Sequence, residues 1–176
     1  MKVQESFTVS EPRAEIWAFF QDIARVARCM PGVEDVEVID EENSRVTITQ
    51  SLGPLSATFD TRMKITKRVD LELIEFQATG RTVRGANGNV RATNTVRLED
   101  APDGGTLISL DADVALGGML GAVGSKVVAR QADQITAAFA RALELELGGT
   151  TATAAPGEDE TDGATGWRRL TGRGKS

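Results

Sequence analysis

The chain has 176 residues, 40% hydrophobic and 26% charged, with a formal net charge of -6, which suits one domain with its own core plus a short extra segment. It has no histidine, no tyrosine and one cysteine, Cys29, which excludes an intrachain disulfide, an iron–sulfur cluster, Ser-His-Asp and Cys-His nucleophile pairs and the usual histidine-rich zinc sites, and leaves carboxylates as the available acids and bases. No apolar run approaches the ~18 residues that span a bilayer, the opening MKVQESFTVS lacks a signal-peptide core, and an acidic chain without a basic stripe should repel nucleic acid, so the expectation is a cytoplasmic protein with no nucleic-acid partner.

KVQESFTVS alternates, with Val3, Phe7 and Val9 on one side, and reads as a first strand. Ser10 is the expected N-cap and Pro12 an early helical residue, followed by RAEIWAFFQD, and Ile16, Phe19, Phe20 and Ile23 lie at helical spacing. A second short helix, DIARVARC, stops before Pro31, because the residue preceding a proline resists helical geometry. From Val33 the period changes to two. VEDVEVID and SRVTITQSL read as a hairpin about Glu42-Asn43. LSATFDTRMKITK points Leu55, Ala57, Phe59, Met63 and Ile65 one way, and Ser56, Thr58, Asp60, Arg62 and Lys64 the other. DLELIEFQAT follows a tight turn near Val69-Asp70, with a possible bulge at Leu73-Ile74. NVRATNTVRLED groups Val90, Ala92, Val96 and Leu98, APDGGT is a turn, and TLISLDADVAL sets Ile108, Leu110, Ala112 and Val114 against Ser109, Asp111 and Asp113.

From about Gly117 to Leu147 the period is helical again. One stripe holds Leu120, Gly124, Val127, Val128, Ile135, Ala138, Ala142 and Leu145, the opposite face holds Lys126, Arg130, Asp133, Arg141 and Glu144, and Gly148-Gly149 ends the helix. Hairpin-length connections imply an antiparallel sheet, apolar on one face, and the long helix is its cover. The fold class is therefore α+β, with a curved antiparallel sheet wrapped around a C-terminal helix and a hollow between them. The domain runs from 1 to 149. Residues 150–176 form a tail, first small, polar and acidic, hence expected to be disordered, then basic, with Trp167, Arg168, Arg169 and Leu170 as candidate membrane or partner contacts.

LGGMLGAVGSK (Leu116–Lys126) fails as a phosphate loop, since neither the Walker spacing nor a Gly-x-Gly fingerprint is present. Its glycines serve either close packing of helix on sheet or a portal at Gly118, Gly121 and Gly124, faced across the hollow by Met30 and Pro31. Polar residues interrupt the inward faces: Gln50, Thr61, Asn94 and Gln131. Burying an unpaired amide costs about 1–3 kcal/mol, so these need partners: each other, water or a ligand. The expected lining of the hollow is Phe59, Met63, Asn94, Leu110, Leu120, Val127, Gln131 and Ile135. Phe20 reads as core, Trp17 as portal, partner contact or sheet packing, and Cys29 as a small buried apolar group. Asp111 and Asp113 read as a solvated face and give no metal site. Arg81, Arg84 and Arg91, around the loop GRTVRGANGN, read as solvated charge or as contacts for an acidic partner or lipid headgroups.

This order of elements, with CMPGVEDVEV after the short helices, LGPLSATFDTRMKI in the sheet and GGMLGAVGSKVV before the last helix, resembles the START/SRPBCC helix-grip superfamily, and within it the CoxG-like family of carbon monoxide dehydrogenase subunits, over residues 1 to 149. The resemblance implies no catalytic residues. It implies a hydrophobic ligand, a respiratory quinone such as menaquinone or ubiquinone, with no covalently bound cofactor. It also implies a molybdenum CO dehydrogenase as partner and a peripheral place on the cytoplasmic membrane surface. The tail lacks the long hydrophobic or helical extension of some members. Two rival functions remain: an aromatase/cyclase-like enzyme, which needs a buried carboxylate with a shifted pKa in the cavity, and an assembly adaptor with a filled core.

Overall fold

The computed structural model describes residues 1–148 and the two-residue strand at 153–154. The elements are β1 (Lys2–Val9), α1 (Arg13–Phe20), α2 (Ile23–Cys29), β2 (Val33–Val38), β3 (Asn43–Leu52), β4 (Leu55–Val69), β5 (Leu73–Gly85), β6 (Gly88–Asp100), β7 (Thr106–Gly118), α3 (Ser125–Leu147) and β8 (Thr153–Ala154). The expected order of a strand, two short helices, six strands and one long helix is what the chain adopts. The strands form one antiparallel sheet in the order β2-β3-β4-β5-β6-β7-β1-β8. The basic tail cluster Trp167, Arg168, Arg169 and Leu170 lies outside the described residues.

Helix α3 meets the sheet at both ends of the strand order, β3 on one rim and β1 on the other. A sheet whose distant strands both reach one helix has to curl around it. At the β1 rim lies the main core: Phe7, Val9, Ile16, Phe19, Leu98, Ile108, Phe139 and Leu143 are buried together. Phe139 is its hub, with ring centroids 6.2 Å from Phe7, 6.4 Å from Phe19 and 6.3 Å from Phe20. At the β3 rim a hydrogen-bonded chain joins the parts. Gln131 Nε2 on α3 donates to Gln50 Oε1 at 2.8 Å, and Gln50 Nε2 donates to the Pro31 carbonyl at 2.8 Å. Two of the inward amides, both half-buried, thus pair with each other across α3 and β3.

Several expectations need correction. The cap of α1 is Pro12 rather than Ser10, with no side-chain hydrogen bond, whereas Asp22 does cap α2 by accepting from the Arg25 amide at 3.2 Å. The helix after the glycine stretch starts at Ser125, because Gly117 and Gly118 end β7 and residues Met119–Ala122 make a 3-10 turn. Leu73-Ile74 carry no bulge; the register skips instead on the facing strand, between Ile65 and Lys67, opposite Phe76 and Glu75. On α3, Leu145 is 81% exposed while Phe139, Leu143 and Glu144 are buried. At 100° per residue Leu145 lies about 100° round from Val128, off the covered stripe. Glu144, expected on the solvent face, is 3% exposed because the β1–α1 turn folds over the end of the helix, and the Ser10 amide donates to its carboxylate at 3.3 Å.

This register sets a test. Leu143→Ala should lower unfolding free energy by about 2–5 kcal/mol, as for other core truncations, while Leu145→Ala should change it by no more than about 0.5 kcal/mol. Urea denaturation of the two variants beside the parent measures both.

Candidate functional site

Because α3 is held at the rims, the middle of the curved sheet is left uncovered, and a cavity of about 360 Å³ lies there. Its wall follows from strand alternation: on each strand every second residue points in. β3 supplies Val46 and Ile48, β4 Met63 and Ile65, β5 Ile74, Phe76 and Ala78, β6 Ala92 and Val96, and β7 Ile108 and Leu110. The helical side is Phe20, Ile23, Val26, Ala27, Ile135 and Phe139, with Met30 and Val33 beyond α2. Against this apolar surface stand five polar side chains: Glu5, Ser44, Thr61, Asn94 and Thr136.

The structure brings Met63, Asn94, Leu110, Ile135 and Met30 to one cavity. The other expected lining residues are placed elsewhere. Phe59 and Leu120 are buried in a separate cluster with Ala57: Phe59 keeps the inward face of β4, but at this end of the strand Leu120 from the 3-10 turn fills the space before it. Val127 sits over Gly53 in the β3–β4 turn, and Gln131 is committed to Gln50. Pro31 does not line the cavity, and its carbonyl accepts from Gln50. Among the described residues, the glycines do not line the cavity. Gly118 has φ of 66°, and a Cβ on it would lie 2.8 Å from the Gly88 Cα, so two backbones meet there. Gly121 and Gly124 have open space or ordinary contact beside them. The close approach at Gly118 is of strand to strand, β7 on β6, and not of helix on sheet.

Asn94 is 9% exposed and its amide donates to the Phe76 carbonyl at 3.4 Å, a long bond that leaves its second N–H and its oxygen uncommitted. Glu5 belongs to the site without having been expected there. It lies between Val3 and Phe7 on the inward face of β1, so the alternation that places those two inside places Glu5 inside as well. Its carboxyl faces Asp133 and Thr136 on α3. Burial, then the Asp133 carboxylate, push its pKa up to about 7, and the Thr136 hydroxyl pulls the other way. At neutral pH this carboxyl is partly protonated and both donates and accepts. Glu144, at the end of the same helix, also has its pKa raised, by burial and by Glu11, and one oxygen of each has no hydrogen-bond partner. No group of three or more His, Cys, Asp or Glu side chains able to hold a metal exists among the described residues, and no helix among them is long and apolar enough to cross a membrane.

Comparison with known proteins gives one family and one fold. A family model for the carbon monoxide dehydrogenase component CoxG matches residues 6–148. No curated protein matches the chain significantly. Among solved structures, a conserved protein from Geobacillus kaustophilus superposes with a TM-score of 0.75 at 18% identity, covering 84% of this chain and 95% of that one. A START superfamily protein from Mycobacterium smegmatis gives 0.58 at 15% identity over 84% and 97% of the two chains. The Zhui aromatase/cyclase from Streptomyces sp. R1128 gives 0.57 at 16% identity over 84% and 93%. The shared fold is the START/SRPBCC helix-grip.

Glu5 generates a pH test with a definite sign. A carboxyl whose pKa is higher in the folded than in the unfolded chain binds its proton more tightly when folded. Its stabilising contribution is complete below the ordinary value of 4.5 and is lost as pH rises through about 7. Glu5→Gln, which stays neutral, should therefore melt above the parent at pH 8 and level with it near pH 4.5. Thermal melts across that range measure the difference.

Proposed function

This chain belongs to the CoxG family of carbon monoxide dehydrogenase subunits, and from that premise we propose that it is a non-catalytic carrier of a hydrophobic small molecule, a respiratory quinone of the menaquinone or ubiquinone type, serving a molybdenum CO dehydrogenase-type oxidoreductase. The observation that carries the reading is the cavity. Its volume of about 360 Å³ falls in the range of small-molecule sites, about 300–1,000 Å³, and its apolar wall with a few convergent polar groups matches their composition. A filled interior would have supported the adaptor reading instead.

The polar groups fit a quinone head. Ring carbonyls accept hydrogen bonds and carry no charge. Asn94 has a free N–H, Thr61 and Thr136 have hydroxyls, and the Glu5 carboxyl donates when protonated. The prenyl chain needs only aliphatic and aromatic wall, which β4, β5 and α2 provide. Such a ligand resides in lipid, so the carrier works at the inner face of the cell membrane, taking the ligand from the bilayer and presenting its head to the enzyme.

One observation favours a second reading, an aromatase/cyclase-like enzyme: the Glu5 carboxyl, with a pKa near neutrality inside the cavity, is suited to general acid–base work. The two readings separate on the fate of the ligand. A carrier returns it unchanged, whereas an enzyme returns a different molecule and stops doing so in Glu5→Gln.

Protein purified from a quinone-producing host, extracted into organic solvent and analysed by mass spectrometry, should yield prenyl quinone at close to one per chain. Ala78→Phe, which fills the cavity from β5, should lose it while keeping a cooperative melt. A folded parent protein free of quinone and lipid would sink the carrier reading.

A further inference from the structure

The convex face of the sheet, behind the cavity wall, carries a second concavity of about 540 Å³. It is lined by Arg45, Arg62, Arg81 and Arg91, with Asp60, Thr79 and Asn89 between them. Strand register explains the gathering. One cross-strand row runs Arg45, Arg62, Thr79 and Arg91 over β3, β4, β5 and β6, and the next runs Asp60, Arg81 and Asn89 over β4, β5 and β6. Neighbouring strands lie about 4.8 Å apart, so these side chains rise from one patch about 15 Å wide. The four arginines come from four strands and are separated by up to 46 positions in the sequence.

The charge in this patch is not balanced. Arg45 grips Asp60 through both forks, at 2.8 and 2.6 Å. That clamp holds the Asp60 carboxylate below its usual range, and the charges of Arg81 and Arg62 add to the effect. Among the described residues, no carboxylate forms an ion pair with Arg62, Arg81 or Arg91. By contrast Arg84, one strand row away, is matched with Glu34 at 3.0 Å. Three uncommitted guanidinium groups therefore converge in one groove of a chain whose net charge is -6.

We propose that this groove is a binding site for a phosphate-bearing anion, held by Arg62, Arg81 and Arg91. A single carboxylate is satisfied by one guanidinium, as Asp60 is by Arg45. Three further forks facing one space call for an anion with more acceptor oxygens in a compact volume, which a phosphate or diphosphate group offers. The Thr79 hydroxyl and the Asn89 amide add neutral donors at the same surface. The site is separate from the ligand cavity: inward residues of the same strands, Thr61 and Met63 beside Arg62, line the cavity on the other side of the sheet. The phosphate source is either a soluble phosphate ester or the headgroup of an anionic phospholipid, and the test distinguishes the two.

Inorganic pyrophosphate titrated into the full chain at low ionic strength, followed by calorimetry, reads the site directly. Binding should weaken about tenfold for each of Arg62→Gln, Arg81→Gln and Arg91→Gln, and should weaken as salt is added. All three side chains are exposed, so the variants should melt like the parent. In a second arm, phosphatidylcholine vesicles with and without phosphatidylglycerol are sedimented with the protein. Co-sedimentation that needs phosphatidylglycerol, is lost in Arg62→Gln/Arg91→Gln and is displaced by pyrophosphate identifies the headgroup as source. Pyrophosphate binding without vesicle binding identifies a soluble phosphate. The proposal is overturned if neither ligand binds, if binding survives the double substitution, or if polyglutamate occupies the groove while both phosphate forms fail to.

Discussion

The structure depends on α3 being held at two rims and left free in the middle. At one rim aromatic packing does the holding: Phe139 and Leu143 insert among Phe7, Phe19 and Ile108. At the other the grip is polar, Gln131 to Gln50 to the Pro31 carbonyl. Neither rim would suffice alone. The aromatic end removes apolar area from water, which fixes the helix in place but not in rotation. The amide chain adds direction, since buried amides tolerate few geometries. A helix fixed in this way cannot settle onto the floor of the sheet, and the volume beneath it persists as a cavity.

The same arrangement sets where polar groups are tolerated. Two glutamates with a raised pKa lie along α3: Glu5 on β1, facing Asp133, and Glu144 on the helix itself, facing Glu11. Burial and a neighbouring carboxylate both disfavour the charged form, so each of these two glutamates holds its proton more tightly than a free carboxyl does. Glu5 opens into the cavity, and Glu144 accepts from the Ser10 amide in the turn that closes the end of the helix. One is placed to meet a ligand and the other to lock the fold.

Most of the fold is legible in the sequence because period-two and period-3.6 patterns are local. Val3, Phe7 and Val9 announce β1, and Ile108 to Val114 announce β7. What the sequence hides is three-dimensional. The stripe drawn through Leu145 leaves out Phe139 and Leu143, which centre the covered face further round the helix, and only the burial of Glu144 under the distant β1–α1 turn leaves no trace on a helical wheel. Alternation puts Phe59 on the inward face, where it is, but gives no sign that Leu120 packs onto that end of the sheet and fills it. Glu5 is hidden for a different reason. Its position is readable, but its chemistry contradicts its neighbours, and that contradiction is the signal. Asn94 and Gln131 raise the same alarm. The structure separates them, one at the cavity wall and one spent on holding the helix.

The arginine groove completes the logic of alternation. No basic run appears in the sequence, because a cross-strand row takes one residue from each strand. A charge cluster of this kind arises only when hairpins set the register, and a one-residue slip would send every member to the opposite face. The residues that line the cavity and those that line the groove are interleaved on β4, β5 and β6, so one register specifies both. Any change that shifts β4 against β5 must spoil the apolar pocket and the basic groove together. The bulge at Thr58/Phe59 lies at the boundary of that shared region, and beyond it the inward side chains serve a filled core in place of a hollow. The sheet is thus divided along its strands into a packed end and an open end, and both candidate binding surfaces belong to the stretch where β4 keeps its register with β5.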